Sequence, residues 1–170
     1  MSSLAPTRRD RALLAVGCLW LVLAAATAVK SYVDPIEHTA YPCFEAGTRC
    51  WWQGKDLYEA TVCGHEYRYA PAIAAAMGPL VLLPTWLGGL LWYWLNIAAY
   101  LWALWALMRW VLPGEWTPGR QAAFLALVFL CSVLMIWGGQ SNALIVALVD
   151  GAAVAVRRQQ IGRASCRERV

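Results

Sequence analysis

Charged residues are scarce in this 170-residue sequence: Asp, Glu, Lys and Arg together make up 14% of it, and the net charge is +4. The chain lacks the dense basic surface that binds a phosphate backbone, so we expect no nucleic-acid partner. It also lacks a glycine-rich phosphate-binding loop, so we expect no nucleotide substrate. Its two histidines, His38 and His65, are far apart and show no compact ligand spacing, so we predict no metal site.

The six cysteines do not form the framework of a disulfide-rich domain. Cys18 and Cys131 lie inside apolar runs, where a thiol usually packs as a small hydrophobic group. Cys43, Cys50 and Cys63 share one polar stretch. In an oxidising compartment this stretch would hold one bridge and one remaining thiol, and the sequence alone does not choose the pair.

Long apolar blocks dominate what is present, since 61% of the residues are hydrophobic and 11 are Trp. The blocks cover residues 12–29, 88–108, 121–137 and 142–156, and the first of them contains no charge. Such lengths approach the ~20 residues that an α-helix needs to cross a bilayer. We predict an all-α integral membrane protein, a polytopic helical bundle with four to five membrane segments and one large outer loop. A cleaved secretory signal is the alternative for the first block, but later apolar blocks favour an uncleaved span.

The arginines predict the orientation in the membrane. Arg8, Arg9 and Arg11 precede the first block, which favours a cytoplasmic N-terminus in a multi-pass protein of the plasma (inner) membrane. The following stretch, residues 34–69, holds six acidic residues against three basic ones and would be the outer loop. Pro71–Pro84 is short and interrupted by a further proline, so we expect it to enter the membrane and return on the outer side. A full crossing is the alternative.

The last ten residues, "IGRASCRERV" (161–170), differ abruptly in composition from the rest. They resemble the translation of a short-read sequencing adapter, and we exclude them from the domain, which we place at residues 1–160. On that interpretation the chain is the front part of a longer protein and is inactive alone. A basic cytoplasmic tail is the alternative.

Six short motifs follow one another between the apolar blocks: "YPCFEAG" (41–47), "WWQGKDLY" (51–58), "YRYAP" (67–71), "PLVLLP" (79–84), "LWYWLN" (91–96) and "GGQSN" (138–142). Each is weak alone, but their order over residues 12–158 resembles the N-terminal part of glycosyltransferase family 87. These are integral membrane, mannosyltransferase-like proteins of the GT-C architecture.

The resemblance implies a hexosyltransferase that moves a sugar, mannose by expectation, from a polyprenyl-phosphate donor. The acceptor would be a glycan or glycolipid on the outer face, and membrane lipid would surround the protein. Beyond the lipid-linked donor it implies no cofactor, and it leaves a divalent metal open.

A carboxylate must take the proton of the acceptor hydroxyl, and Asp34 and Glu37 are the candidates because they leave the first span at the height of a lipid phosphate. Many relatives carry an Asp directly before the aromatic pair of this loop, whereas here His38 and Thr39 stand in "EHTAYPCF". A structural interpretation of Asp34 is a turn residue before Pro35.

The candidates for substrate binding are polar and aromatic residues of the outer motifs: Asp56, Tyr58, Arg68, Tyr69, Gln140 and Asn142. We expect Arg68 beside the donor phosphate, where a cation stabilises the leaving group. The structural alternatives are a turn or cap for Asp56 and an interfacial anchor for Arg68. We interpret Glu45 as a solvent-facing acid.

Two other classes of protein compete with an enzyme. A transporter would explain Asp150 inside an apolar block, because transporters place their sites within interrupted spans. A structural membrane subunit is the other alternative. The polar groups are concentrated in one outer loop, which favours the enzyme.

Overall fold

The computed structural model describes residues 8–63 and 66–167, and these residues form eight helices and no strand. The helices are α1 (Arg8–Val33), α2 (Tyr41–Trp52), α3 (Ala60–Cys63), α4 (Pro71–Ala76), α5 (Gly78–Val81), α6 (Thr85–Trp110), α7 (Pro118–Trp137) and α8 (Asn142–Arg167). His65, one of the two histidines weighed for a metal, lies outside the described residues.

Three of the described helices, α1, α6 and α7, are long and apolar enough to cross a membrane. The prediction of an all-α membrane protein is confirmed. The described helices that meet this criterion are fewer than the four to five segments expected. The apolar first half of α8 is followed by Arg157 and Arg158, and this helix is not among the three.

Pro71–Pro84 holds the two short helices α4 and α5, of six and four residues. Neither approaches the ~20 residues of a spanning helix. Both carry a proline in their first turn, where the missing N–H costs no hydrogen bond. The segment therefore contains no spanning helix, as its prolines predict.

Glycine in the left-handed region ends both α2 and α7. Gly54 has φ +66° and Gly139 has φ +64°. At α7 the Gly139 N–H donates to Ile136 O at 2.9 Å and the Gln140 N–H to Met135 O at 3.3 Å, which is the Schellman pattern. Only glycine takes this backbone conformation without strain, so each "G" stops its helix at a defined residue.

The described chain divides into two compact units. One contains α1 up to Leu23, Asn96–Val133 and the chain from Ser141 onward. Inside it the Trp20 ring packs edge-on against Phe129, with centroids 5.2 Å apart. The other contains Ala24–Leu95 and Leu134–Gln140, and it carries most of the predicted site residues.

The core of this second unit is aromatic. Tyr41 and Phe44 of α2 are fully buried. The Phe44 ring lies 5.0 Å from that of Trp92 on α6 and 4.5 Å from that of Tyr69, measured between centroids. Tyr67 completes the cluster, 5.7 Å from Tyr69. These contacts hold α2 and the segment that contains Tyr67 and Tyr69 against α6.

Candidate functional site

The turn between α1 and α2 contains both predicted catalytic carboxylates. The Asp34 N–H donates to Lys30 O at 2.8 Å, which closes the last turn of α1. Asp34 Oδ1 then accepts the Glu37 N–H at 3.0 Å. Asp34 is half-buried and interacts electrostatically with the Lys30 ammonium, whereas Glu37 is exposed. The two acids share one turn, but only Asp34 is partly shielded from water.

A lysine joins this turn to the end of α7. Lys30 Nζ donates to His38 O and to Trp137 O, both at 2.9 Å. The Ala40 N–H donates to Gly138 O at 2.9 Å. The first loop, between α1 and α2, and the "GGQ" break are therefore in direct contact.

Side chains of α6 complete the junction. The Tyr93 hydroxyl lies 2.9 Å from Thr39 Oγ1 and 3.0 Å from Trp137 O, and Trp92 Nε1 donates to Gly139 O at 2.8 Å. A Cβ at Gly139 would lie 2.6 Å from Thr39 Oγ1, so the loop packs directly on glycine backbone.

The two predicted polar residues of this break lie in different units. Gln140 is exposed and belongs to the unit of the first loop, whereas Asn142 begins α8 in the other unit. The structure therefore brings the glycines of "GGQSN" to the loop.

Asp56, Tyr58 and Tyr69 lie together beside the aromatic cluster. The Tyr58 hydroxyl donates to Tyr69 O at 3.2 Å. Asp56 Oδ1 accepts the Tyr58 N–H at 2.9 Å, which is the turn role considered for this residue. Asp56 and Tyr58 are exposed and Tyr69 is half-buried.

Arg68 pairs with Glu66 in the same loop. Its Nε donates to Glu66 Oε2 at 3.1 Å, and Nη2 contacts the same oxygen. This hydrogen bond raises the pKa of the Arg68 guanidinium. Both side chains are largely exposed, so water screens the pair. Within the described chain, no contact joins Arg68 to Asp34 or Glu37.

The most buried ion pair of the loop was missed by sequence reasoning. The Glu45 side chain is only 12% exposed, and its Oε1 lies 2.7 Å from Arg49 Nη2 and 3.3 Å from Thr85 Oγ1. The interpretation of Glu45 as a solvent-facing acid is wrong, because α2 turns this residue towards the start of α6. The available signal was the spacing of Glu45 and Arg49, four residues apart on one helix.

Arg49 lies between two hollows of this unit. One has a volume of about 600 Å³ and is lined by Thr48, Arg49, Trp52 and Gln53 of the α2 region and by Gly78, Pro79, Val81 and Leu82. The other, of about 240 Å³, is lined by Ile36, Pro42, Glu45, Ala46, Arg49 and Thr85. Arg49 Nη2 also donates to Val81 O at 3.3 Å. The guanidinium therefore connects α2 with α5.

The disulfide pair left open by the sequence is Cys50–Cys63, with Cα atoms 5.9 Å apart. Cys43 is the remaining thiol of the loop. Its Sγ donates to Glu66 O at 3.1 Å, and burial raises the pKa of the thiol. In the described part of the chain no three His, Cys, Asp or Glu residues are grouped as metal ligands, and the absence of a metal stays a prediction.

These features define the class: an all-helical membrane protein with polar and aromatic groups gathered where its spans end. A sequence model of glycosyltransferase family 87 matches residues 67–166, more than half of the chain. The chain belongs to glycosyltransferase family 87 and is a membrane glycosyltransferase, which confirms the resemblance. The family also decides against the transporter and the structural subunit. No curated protein and no solved structure matches the chain.

Proposed function

We propose that this protein transfers a hexose, mannose, from a polyprenyl-phosphate donor to a glycan or glycolipid acceptor on the outer face of the plasma membrane. The observation that carries the proposal is the junction of the first loop with α7. It holds a carboxylate, Asp34, directly after a 26-residue helix that is long and apolar enough to cross a membrane, which supports a position near the lipid phosphates.

In the reaction the acceptor hydroxyl gives its proton to a carboxylate, and its oxygen attacks the anomeric carbon. The bond between that carbon and the phosphate oxygen breaks, and the lipid phosphate leaves with the electron pair. Asp34 is a better candidate base than Glu37 because it is half-buried and held in a defined turn, whereas Glu37 is exposed to water.

The remaining predicted residues divide by position. Tyr58, Tyr69 and Asp56 form an outer polar surface suited to sugar hydroxyls, and Gln140 lies beside the junction. Arg68 is a proposed substrate contact, and its guanidinium is paired with Glu66. Asn142 stays a proposed substrate contact.

The N-terminus is proposed to be cytoplasmic. The Cys50–Cys63 bridge supports this orientation, since disulfides persist in oxidising compartments outside the cytoplasm.

The test is transfer of mannose from polyprenyl-phosphate mannose by the enzyme in proteoliposomes. Asp34→Asn and the double variant with Glu37→Gln should lower the rate by about 10²–10⁴-fold, the usual loss when a general base is removed. Glu59→Gln, an exposed acid of the same loop, is the control and should transfer at the parental rate. A double variant that folds, inserts and transfers at near-parental rate would show that neither carboxylate is the base.

A further inference from the structure

The cavity of about 600 Å³ beside α2 and α5 has one charged group in an apolar wall. Trp52, Pro79, Val81 and Leu82 supply the apolar surface, and the Leu82 side chain is 88% exposed at its rim. Arg49 supplies the charge. In a membrane protein, a cavity with one cation and an apolar wall suits a ligand with an anionic head and a long apolar tail.

The Arg49 guanidinium is oriented but not saturated. Its Nη2 donates to Glu45 Oε1 and to Val81 O. Its Nη1 and Nε have no hydrogen-bond partner in the described residues. The side chain is 54% exposed. Arginine presents its N–H groups in a rigid fork, so fixing one nitrogen aims the others. The Glu45 carboxylate thus positions the fork and leaves a planar edge for an oxyanion.

A buried hydroxyl points to the same ligand independently. Thr48 is fully buried and lines the cavity, and its Oγ1 has no hydrogen-bond partner within the described chain. A buried polar atom without a partner costs free energy, and native proteins rarely leave one unsatisfied. A polar atom of a bound ligand would satisfy it beside Arg49.

We propose that this cavity docks the lipid-linked sugar donor: Arg49 and Thr48 bind its phosphodiester, and the apolar wall receives the first units of its polyprenyl tail. The inference rests on the proposed function and locates the donor phosphate at Arg49 instead of Arg68. Glu45 is a positioning residue, because it acts through the guanidinium of Arg49.

Binding of three probes to the purified protein in lipid nanodiscs tests this site: polyprenyl phosphate, the corresponding polyprenol and inorganic phosphate. Arg49→Gln should weaken the binding of polyprenyl phosphate by about tenfold or more, because a charge-assisted hydrogen bond is lost. The binding of polyprenol should be unchanged. Thr48→Val, which keeps the side-chain volume, should weaken the same probe by a smaller factor. Leu82→Asp should weaken both lipids, and inorganic phosphate should not bind measurably.

Lys55→Gln is the control, since it removes one exposed cation from the same loop. Formation of the Cys50–Cys63 bridge and an unchanged thermal midpoint report folding of each variant. If Arg49→Gln does not fold, Thr48→Val and Arg49→Lys test the site instead. Both variants should bind polyprenyl phosphate more weakly than the parent.

The proposed site would be overturned by folded Arg49 and Thr48 variants that bind polyprenyl phosphate as the parent does. Loss of binding in Arg68→Gln alone would also overturn it, as would a parent that binds no polyprenyl phosphate. The proposed function is scored separately by mannose transfer. A parent that binds polyprenyl phosphate without transferring mannose contradicts the function and keeps the site. A parent that transfers mannose, together with an Arg49→Gln variant that binds polyprenyl phosphate normally, contradicts the site and keeps the function.

Discussion

Replacement of Gly88 by alanine tests the packing that positions α2. Gly88 lies in the second turn of α6, opposite the buried Tyr41. A Cβ at this position would lie 1.9 Å from Tyr41 Oη and 2.7 Å from Leu80 O. The Tyr41 hydroxyl is held by Leu80 O at 3.3 Å, so neither neighbour can move without shifting α2 or α5.

The size of the effect follows from two opposing terms. Overpacking a well-packed site costs about 1–3 kcal/mol, and two contacts this short favour the upper end. Alanine recovers about 1 kcal/mol over glycine within a helix. We therefore expect Gly88→Ala to lower the free energy of unfolding by about 2 kcal/mol.

Gly89→Ala is a matched control one residue away. Its Cβ would lie 3.4 Å from Tyr41 Cδ1, which is an ordinary contact, so this variant should be neutral or more stable by about 1 kcal/mol. Thermal unfolding in a mild detergent should then separate the two variants by roughly 4–12 °C, at about 2–4 °C per kcal/mol for a chain of this size.

A rescue variant makes the reasoning refutable. Tyr41→Phe removes the nearer of the two clashing atoms, so in the double variant it should recover part of the Gly88→Ala loss. Equal midpoints for Gly88→Ala and Gly89→Ala, or no recovery in the double variant, would show that Tyr41 does not pack against Gly88.

The proposed orientation can be tested with single cysteines at the exposed positions Gln140 and Arg120, in a protein whose other unpaired cysteines are replaced by alanine. An impermeant maleimide applied to intact cells should label the two positions differently. Gln140→Cys should be labelled and Arg120→Cys spared, and the opposite pattern would reverse the topology. Burial raises the pKa of both Tyr41 and Tyr67 to about 12, above the ordinary value of about 10. Their contribution to stability is complete below about pH 10 and is lost as the pH rises towards 12, because the unfolded chain then releases protons that the folded chain retains. Phenolate absorbance of the parent minus that of each Tyr→Phe variant gives the two pKa values, and titration of either tyrosine near pH 10 in the folded protein would contradict its burial.

The long helices were predictable because lipid demands continuous apolar length. The block at 88–108 is the centre of α6, which extends at both ends to Thr85 and Trp110. The predicted block omitted these ends because polar and aromatic residues at an interface interrupt apolar runs without interrupting a helix. The prolines of 71–84 likewise predicted short helices, since each proline fits only a first turn.

The shielding of Glu45 in its ion pair with Arg49, and the disulfide, were not predictable from local pattern. Glu45 is shielded only because α2 meets Thr85, which is 40 residues further along the chain. The choice of Cys50 and Cys63 over Cys43 depends on how α2 and α3 approach each other, and three cysteines in one loop carry no such information. Sequence reasoning found the loop that holds the candidate site and misjudged which of its charges are shielded.

The bonds from Lys30 to the end of α7 also order the assembly of the protein in time. Lys30 and Trp137 are 107 residues apart, so the ribosome completes α1 and the first loop roughly 5–20 s before α7 exists, at about 5–20 residues per second. Until then the Ala40 N–H has no Gly138 carbonyl to donate to, and one of the two acceptors of the Lys30 ammonium is missing. Each newly made chain therefore passes through a period in which Asp34 has been synthesised but its loop has not yet bonded to α7. The first loop gains its bonds to the end of α7 only when this third apolar helix has been made.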